Sequence, residues 1–321
     1  MKLGFLAQAR AESIENAAGE TARDLYFRRL RLLFGGQLAP KWSFFFETDS
    51  PNLGRGESDG SKNASDIFIQ DFVITYDHVD ALKVDFGLIL IPLSHNSQQS
   101  AASLLPSDYG PFSFLNSGAT DSRVGRDYGV QVRGYAVGKS LEYRAGVYQG
   151  DRGEDSTNDF RYAGRVVWYP LEPDTAFYYV GTTLGKKKIL AIGGGLDVQE
   201  EYRAYSADVF FDHPVGTHHA ITAHSLAFIR RDSFFSEVPE QDVTSLELGW
   251  YFARAKLQPY GAWYDRDFDD AASSDETQFE VGVAWYWEAY ERVLKLGYGQ
   301  LRKDGTADRD RLVLQLQIFH F

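Results

Sequence analysis

Runs in which apolar residues alternate with polar or small ones recur about sixteen times along this chain, and no segment between them has a helical period. The last run, 311–321, reads RLVLQLQIFHF. Leu312, Leu314, Leu316 and Ile318 share one face of an extended strand, and Val313, Gln315, Gln317 and Phe319 share the other. Strands are expected at 2–10, 24–37, 42–49, 67–76, 82–91, 126–136, 141–149, 160–168, 189–199, 205–212, 220–230, 244–252, 257–264, 278–287, 293–301 and 311–321. Most approach the 9–11 residues, roughly, that cross a bilayer at a tilt. Short connections alternate with long polar ones at 11–23, 50–66, 92–125, 150–159, 231–243, 265–277 and 302–310. The fold class expected is all-β: an antiparallel transmembrane barrel of about sixteen strands, occupying 1–321 as one domain, with short periplasmic turns and long outer loops.

The stretch 177–184, FYYVGTTL, has the composition of a strand. Were it to cross the membrane, the alternation of short and long connections would invert and the strand count would be odd. It is therefore assigned to a long periplasmic connection, 170–188, as a non-spanning extended piece. Phe321 breaks the parity of Leu312–Ile318, and a bulge near Phe319-His320 would restore it.

Parity predicts which face meets lipid. Leu30, Leu32 and Phe34 oppose Arg29, Arg31 and Leu33; Trp42, Phe44 and Phe46 oppose Ser43, Phe45 and Glu47. A Lys or Arg at the bilayer midplane costs roughly 2–4 kcal/mol, which luminal placement avoids. Gly129, Gly146, Gly249, Gly282, Gly297 and Gly299 fall on inner faces, where they would leave room for water. Trp42, Trp168, Tyr169, Trp250, Tyr251, Trp285, Trp287 and Tyr290 lie near the short turns and are assigned to an interfacial girdle.

Composition refines this picture. Mean hydropathy is −0.34, too low for membrane helices but not for a barrel, in which only alternate residues face lipid. Aromatic residues make up 15% of the 321 residues, as girdles require. Cysteine is absent, which removes disulfides and thiolate chemistry. A net charge of −12, with acids gathered at 57–59, 151–159 and 265–276, argues against nucleic acid as a partner. Gly4-Phe5 already begins an amphipathic stretch, so the export signal is expected to have been removed.

The candidate anion path is Arg29, Arg31, Arg133, Arg144, Arg161 and Arg165, since rings of like-charged side chains select ions. Glu47, Asp71, Asp85, Glu142, Glu247 and Glu280 form the candidate acidic wall, either as a transverse field or as ion-pair partners of the arginines. The third long loop, 92–125, is long enough to be functional; it is expected to fold inward and narrow the channel, the alternatives being a cap on the barrel or a contact at a protomer boundary, and Ser94, His95, Asn96, Gln98 and Gln99 are its candidate constriction residues. His218-His219 with His213 and His224 could suggest a metal site, but an adjacent His pair on a turn is read as solvent-exposed, and no metal site is assigned. Gly193-Gly194-Gly195 lies inside a strand and is no phosphate loop. No catalytic constellation, cofactor or metal is expected.

The chain resembles the phosphate-selective porin O and P family. The residues that carry the resemblance are FRRLRLLFGGQLAPKWSFFFETD (27–49), IQDFVITY (69–76), LKVDFGLILIPLS (82–94), GVYQGD (146–151), GRVVWYP (164–170), LGKKKILAIGGGLDVQ (184–199), AYSADVFF (204–211), LQPYGAWYD (257–265) and the final LVLQLQIFHF. The resemblance implies a sixteen-stranded outer-membrane barrel, a homotrimer, a third loop inside the pore and anion binding by luminal Arg and Lys. The expected function is passive diffusion of small hydrophilic solutes, with oxyanions such as phosphate among them, across the outer membrane of a Gram-negative-type bacterium. The alternative is a barrel that sheathes or anchors a protein partner, such as a multihaem cytochrome. Haem co-purification would distinguish the two.

Overall fold

The computed structural model describes all residues except 17–18, 65, 115–123, 154–155, 233–238 and 271, together with the side chains of 225–232. Parts of six of the seven long connections, including 115–123 of the third loop, therefore lie outside the described residues.

Sixteen strands close into one ring: β1 Lys2–Glu15, β2 Thr21–Ala39, β3 Trp42–Asp49, β4 Phe68–Val79, β5 Leu82–Leu90, β6 Arg126–Ala136, β7 Leu141–Tyr148, β8 Arg161–Trp168, β9 Ile189–Gln199, β10 Tyr202–Val215, β11 His219–Asp232, β12 Gln241–Phe252, β13 Leu257–Phe268, β14 Glu276–Glu288, β15 Arg292–Lys303 and β16 Arg309–His320. Each pairs antiparallel with its sequence neighbours, and β1 closes on β16, with Ala9 opposite Leu316. Closure satisfies the ladder of every strand, which hydrocarbon demands. The expected strands are all present. Several run further than the amphipathic pattern, β2 to 19 residues, because the wall continues past the hydrocarbon where polar residues serve both faces.

Parity holds through the wall. Leu32 and Phe34 are exposed to the surroundings while Arg31 and Leu33 are buried inside. One local exception matters. Gln8 faces Arg29 but Ala9 faces Phe27, so Arg28 is the extra residue of a β-bulge. The bulge lets Arg28 and Arg29 both reach the lumen.

Three expectations are corrected. No register shift occurs near Phe319-His320. Phe321 instead meets the inward Phe45 edge-on at 5.8 Å, and Gly4 and Gly35 have no Cβ to obstruct its ring. Tyr169, Tyr251 and Tyr290 are not girdle residues. Tyr169 donates its hydroxyl to Glu142 (2.8 Å), Tyr251 packs edge-on against buried Tyr286, and the Tyr290 hydroxyl donates to Thr182 O. The inner glycines do not hold water-filled space. A Cβ at Gly146 would strike the Tyr148 ring, one at Gly282 the Tyr260 ring, and one at Gly249 the Leu105 side chain.

Residues 169–188 join β8 to β9 without adding a strand to the wall. They turn into the barrel, where Tyr179 is fully buried.

Candidate functional site: a divided lumen

Two segments enter the barrel from opposite ends and meet. Ser100 N donates to Tyr179 O (2.9 Å) and Tyr179 N donates to Gln98 O (2.9 Å), a short parallel bridge between the third loop and the β8–β9 connection. His95 is clamped between Tyr179 (4.9 Å, 17° between ring planes) and Phe210 of the wall (4.2 Å, 15°).

Wall side chains hold the third loop by its backbone. Lys295 Nζ donates to Leu104 O (2.5 Å) and Pro106 O (2.7 Å); Gln8 Nε2 donates to Ala101 O (3.1 Å) and Gln317 Nε2 to Ala102 O (2.8 Å). Glu280 accepts from Ser107 N (3.0 Å) and Ser107 Oγ (2.8 Å). The glycine run of β9 admits the loop at its start. A Cβ on Gly195 would lie 2.1 Å from Leu93 O, and one on Gly193 would lie 2.3 Å from the Arg165 guanidinium. Glycine within a strand often marks such an approach of another backbone.

The candidate loop residues serve mainly as anchors. Ser94 bonds Ser97, the His95 N–H donates to Asp208 (3.1 Å), and Asn96 Nδ2 donates to Glu247 (3.0 Å). Gln98 Nε2 donates to Ile91 O (2.9 Å), while its Oε1 accepts from Arg144 (2.7 Å). Gln99 lines the larger inner cavity described below.

The candidate arginines fall into two groups, all of them facing inward. Arg144 pairs with Glu142 (2.7 Å) and Arg165 with Asp208 (2.6 Å from both Nη atoms). Arg161 pairs with Asp197 through Nε (2.6 Å). Arg144 and Arg165 are buried against the inserted segments, donating to Phe177 O (3.1 Å) and Leu93 O (3.1 Å), and Arg161 is buried at the wall. Arg29 and Arg31 lie where space remains, and Arg133, the ladder neighbour of Arg144, lines the edge of that space. Two cavities persist there. One, of about 260 Å³, opens toward the long-loop end and is lined by Arg28, Arg29, Arg31, Arg311, Asp49 and Asp108 among others. The second, of about 440 Å³, lies toward the short-turn end, with Arg31, Arg126, Arg133 and Glu47 in its lining. Arg31 and Tyr109 border both, so the two cavities abut at that pair.

Carboxylates hold these arginines in place. Arg31 donates to Glu47 (2.5 Å) and Asp49 (2.9 Å), Arg126 to Asp71 (3.2 and 3.1 Å), and Arg133 to Asp85 (2.7 Å). Asp108, carried on the loop, receives Arg28 (2.6 Å) and Arg29 (2.5 Å), with Arg10 at 3.3 Å. Burial would raise the Asp108 carboxyl, but Arg28, Arg29 and Arg10 outweigh it and hold the group well below the usual carboxylate range. Tyr109 is fixed by its hydroxyl on Gln99 O (2.6 Å) and lies under Arg29 (5.1 Å).

Asp108, Tyr109, Arg10, Arg28, Arg126 and Lys295 escaped the sequence reading. Parity marks inward residues but not whom they meet, and Arg28 has the wrong parity without its bulge. The paired arginines of FRRLR and the DYG of the loop were the available signals. The four histidines are dispersed: His224 lies inside beside Glu247 (3.2 Å), His213 stacks on Phe211, His218 meets Arg254 (2.9 Å), and His219 packs on Trp250.

A closed sixteen-stranded wall with an apolar exterior and a charged interior places this chain among outer-membrane porins, channels for small solutes. Solved structures with the same fold include the Salmonella typhi OmpF complex with daunomycin (TM-score 0.64, 10% identity, 99% of this chain and 97% of that one). The outer membrane channel DcaP of Acinetobacter baumannii is similar (0.62, 12%, 99% and 96%), as is the trimer form of OmpT, an outer membrane protein of Vibrio cholerae (0.57, 12%, 99% of both). No curated protein matches by sequence. The chain belongs to the family described as phosphate-selective porin O and P, whose sequence profile matches residues 2–275.

Proposed function

We propose that the protein carries small hydrophilic anions, oxyanions such as phosphate among them, by passive diffusion along an off-centre path on the β1–β6 side of the lumen. The observation that supports this is the pair of cavities abutting at Arg31 and Tyr109, with Arg28 and Arg29 on the outer side and Arg126 and Arg133 on the inner. Arginine presents several N–H donors in a rigid fork, so one edge can stay on its carboxylate while another meets a passing anion. In this reading residues 92–125 narrow the pore, and Glu47, Asp71 and Asp85 orient the path. Glu142, Glu247 and Glu280 secure the filled half. The chain's own segments occupying the lumen argue against a partner sheathed there. Assembly as a homotrimer is part of the proposal; the trimer form of the Vibrio cholerae protein supports it by analogy of fold.

The test is the reversal potential of single channels in a potassium chloride gradient. Wild type is expected to favour chloride. R31Q and the double variant R28Q/R29Q should move the potential toward cations, whereas R165Q, in the sealed half, should leave it in place. A cation-selective or non-conducting wild type refutes the reading.

A further inference from the structure

The inner cavity has a composition that a bare oxyanion does not call for. Phe45, Phe177, Tyr178, Phe319 and Phe321 form much of its wall. Phe45 is their hub, at 5.9 Å from Tyr178, 5.8 Å from Phe321 and 6.5 Å from Phe177. Phe177 and Tyr178 come from the inserted β8–β9 connection, so this cup exists only because that segment folds inward. Arg133 spreads over the Phe177 ring at 4.9 Å. Arg31 and Arg126 complete a cationic edge.

An inorganic oxyanion meets the guanidinium edge but gains nothing from the aromatic wall that displaces its water. A ligand with a flat apolar body and one carboxylate satisfies both sides: ring against the phenylalanines, carboxylate against the guanidinium edge. We infer that this cavity is a subsite for small aromatic carboxylates, placed just inside the constriction. The inference rests on the anion path above and names the substrate class that its inner half favours. About 440 Å³ is ample for a single-ring acid. Asp49, Asp71 and Asp85 back the three arginines from outside the lining, while Glu47, itself in the lining, takes one edge of Arg31 (2.5 Å). Attraction is thereby directional but shallow, as a site on a diffusion path must be.

The test uses the whole channel in planar bilayers, with benzoate, acetate or inorganic phosphate added on the short-turn side. Benzoate should reduce chloride current at about a tenth of the concentration that acetate or phosphate requires. F177A, which changes a residue outside the barrel wall, should remove at least fivefold of that advantage. F177L, which keeps apolar volume without the ring, should lose most of the advantage too. Equal potency of benzoate and acetate on wild type overturns the inference, as does an undiminished benzoate effect in both variants. A wild type without anion preference that is still blocked selectively by benzoate would sink the diffusion reading and leave the subsite standing.

Discussion

Asp108→Asn is the sharpest perturbation of the constriction. The carboxylate receives three arginines, and its side chain is 16% exposed at the edge of the outer cavity. Removing one partner of a buried charge network costs roughly 3–5 kcal/mol. Here water and mobile anions reach the site from the mouth, so about 1–3 kcal/mol is the better expectation. The loop should nonetheless remain inside, because Lys295, Gln8, Gln317 and Glu280 hold residues 101–107 independently. The path gains one positive charge. An anion passing at about 6 Å is favoured by about 0.7 kcal/mol even at the dielectric of water, which is about threefold in occupancy. The same charge disfavours potassium equally, so D108N should raise the chloride-to-potassium permeability ratio about tenfold at low salt, less as salt screens the site. An unchanged ratio, or a shift toward potassium, would refute the placement of Asp108 on the conducting path.

Other outcomes follow from the loop's anchors. Lys295→Met strands three buried carbonyls of residues 104–106 at roughly 1–3 kcal/mol each before relaxation, and should appear as faster proteolysis of the loop and noisier open-channel current. Gly195→Ala sets a Cβ against Leu93 O, so the loop must lift; single-channel conductance should rise and melting temperature should fall by several degrees. Burial, with His224 alongside, pushes the His95 imidazole well below its ordinary 6.5. The folded loop then refuses a proton that the unfolded chain accepts, so its stability is full above pH 6.5 and declines as pH falls below it. Melting at pH 5.5 against pH 8 should show that loss in wild type, and H95F, which keeps the stack, should show less of it; equal losses would remove His95 from the account.

How much was legible follows from where each signal resides. Period-two alternation is local, so Leu30-Arg31-Leu32 announces a wall with two faces from three residues. The inward fold of 169–188 was half legible: FYYVGTTL read as extended and non-spanning, but nothing local says that Tyr179 meets Gln99. The arginines were legible as luminal and not as path or filler, because Arg165 and Arg31 have the same parity, and only the course of the loop separates them. The glycine run of β9 was the missed clue. It is no phosphate loop, but glycine inside a strand asks what approaches it, and Leu93 does.

The ring is completed by β1 and β16, two strands about three hundred residues apart in the chain, the pairing with the longest intervening segment to organise. Gln8 on one of them and Gln317 on the other grip adjacent carbonyls, Ala101 and Ala102, and also bond each other (2.8 Å). Shutting the seam and capturing the loop are thus one act of assembly. A barrel that zipped with its loop outside would leave both amides without those acceptors, so the cargo in the lumen doubles as the clasp of the wall.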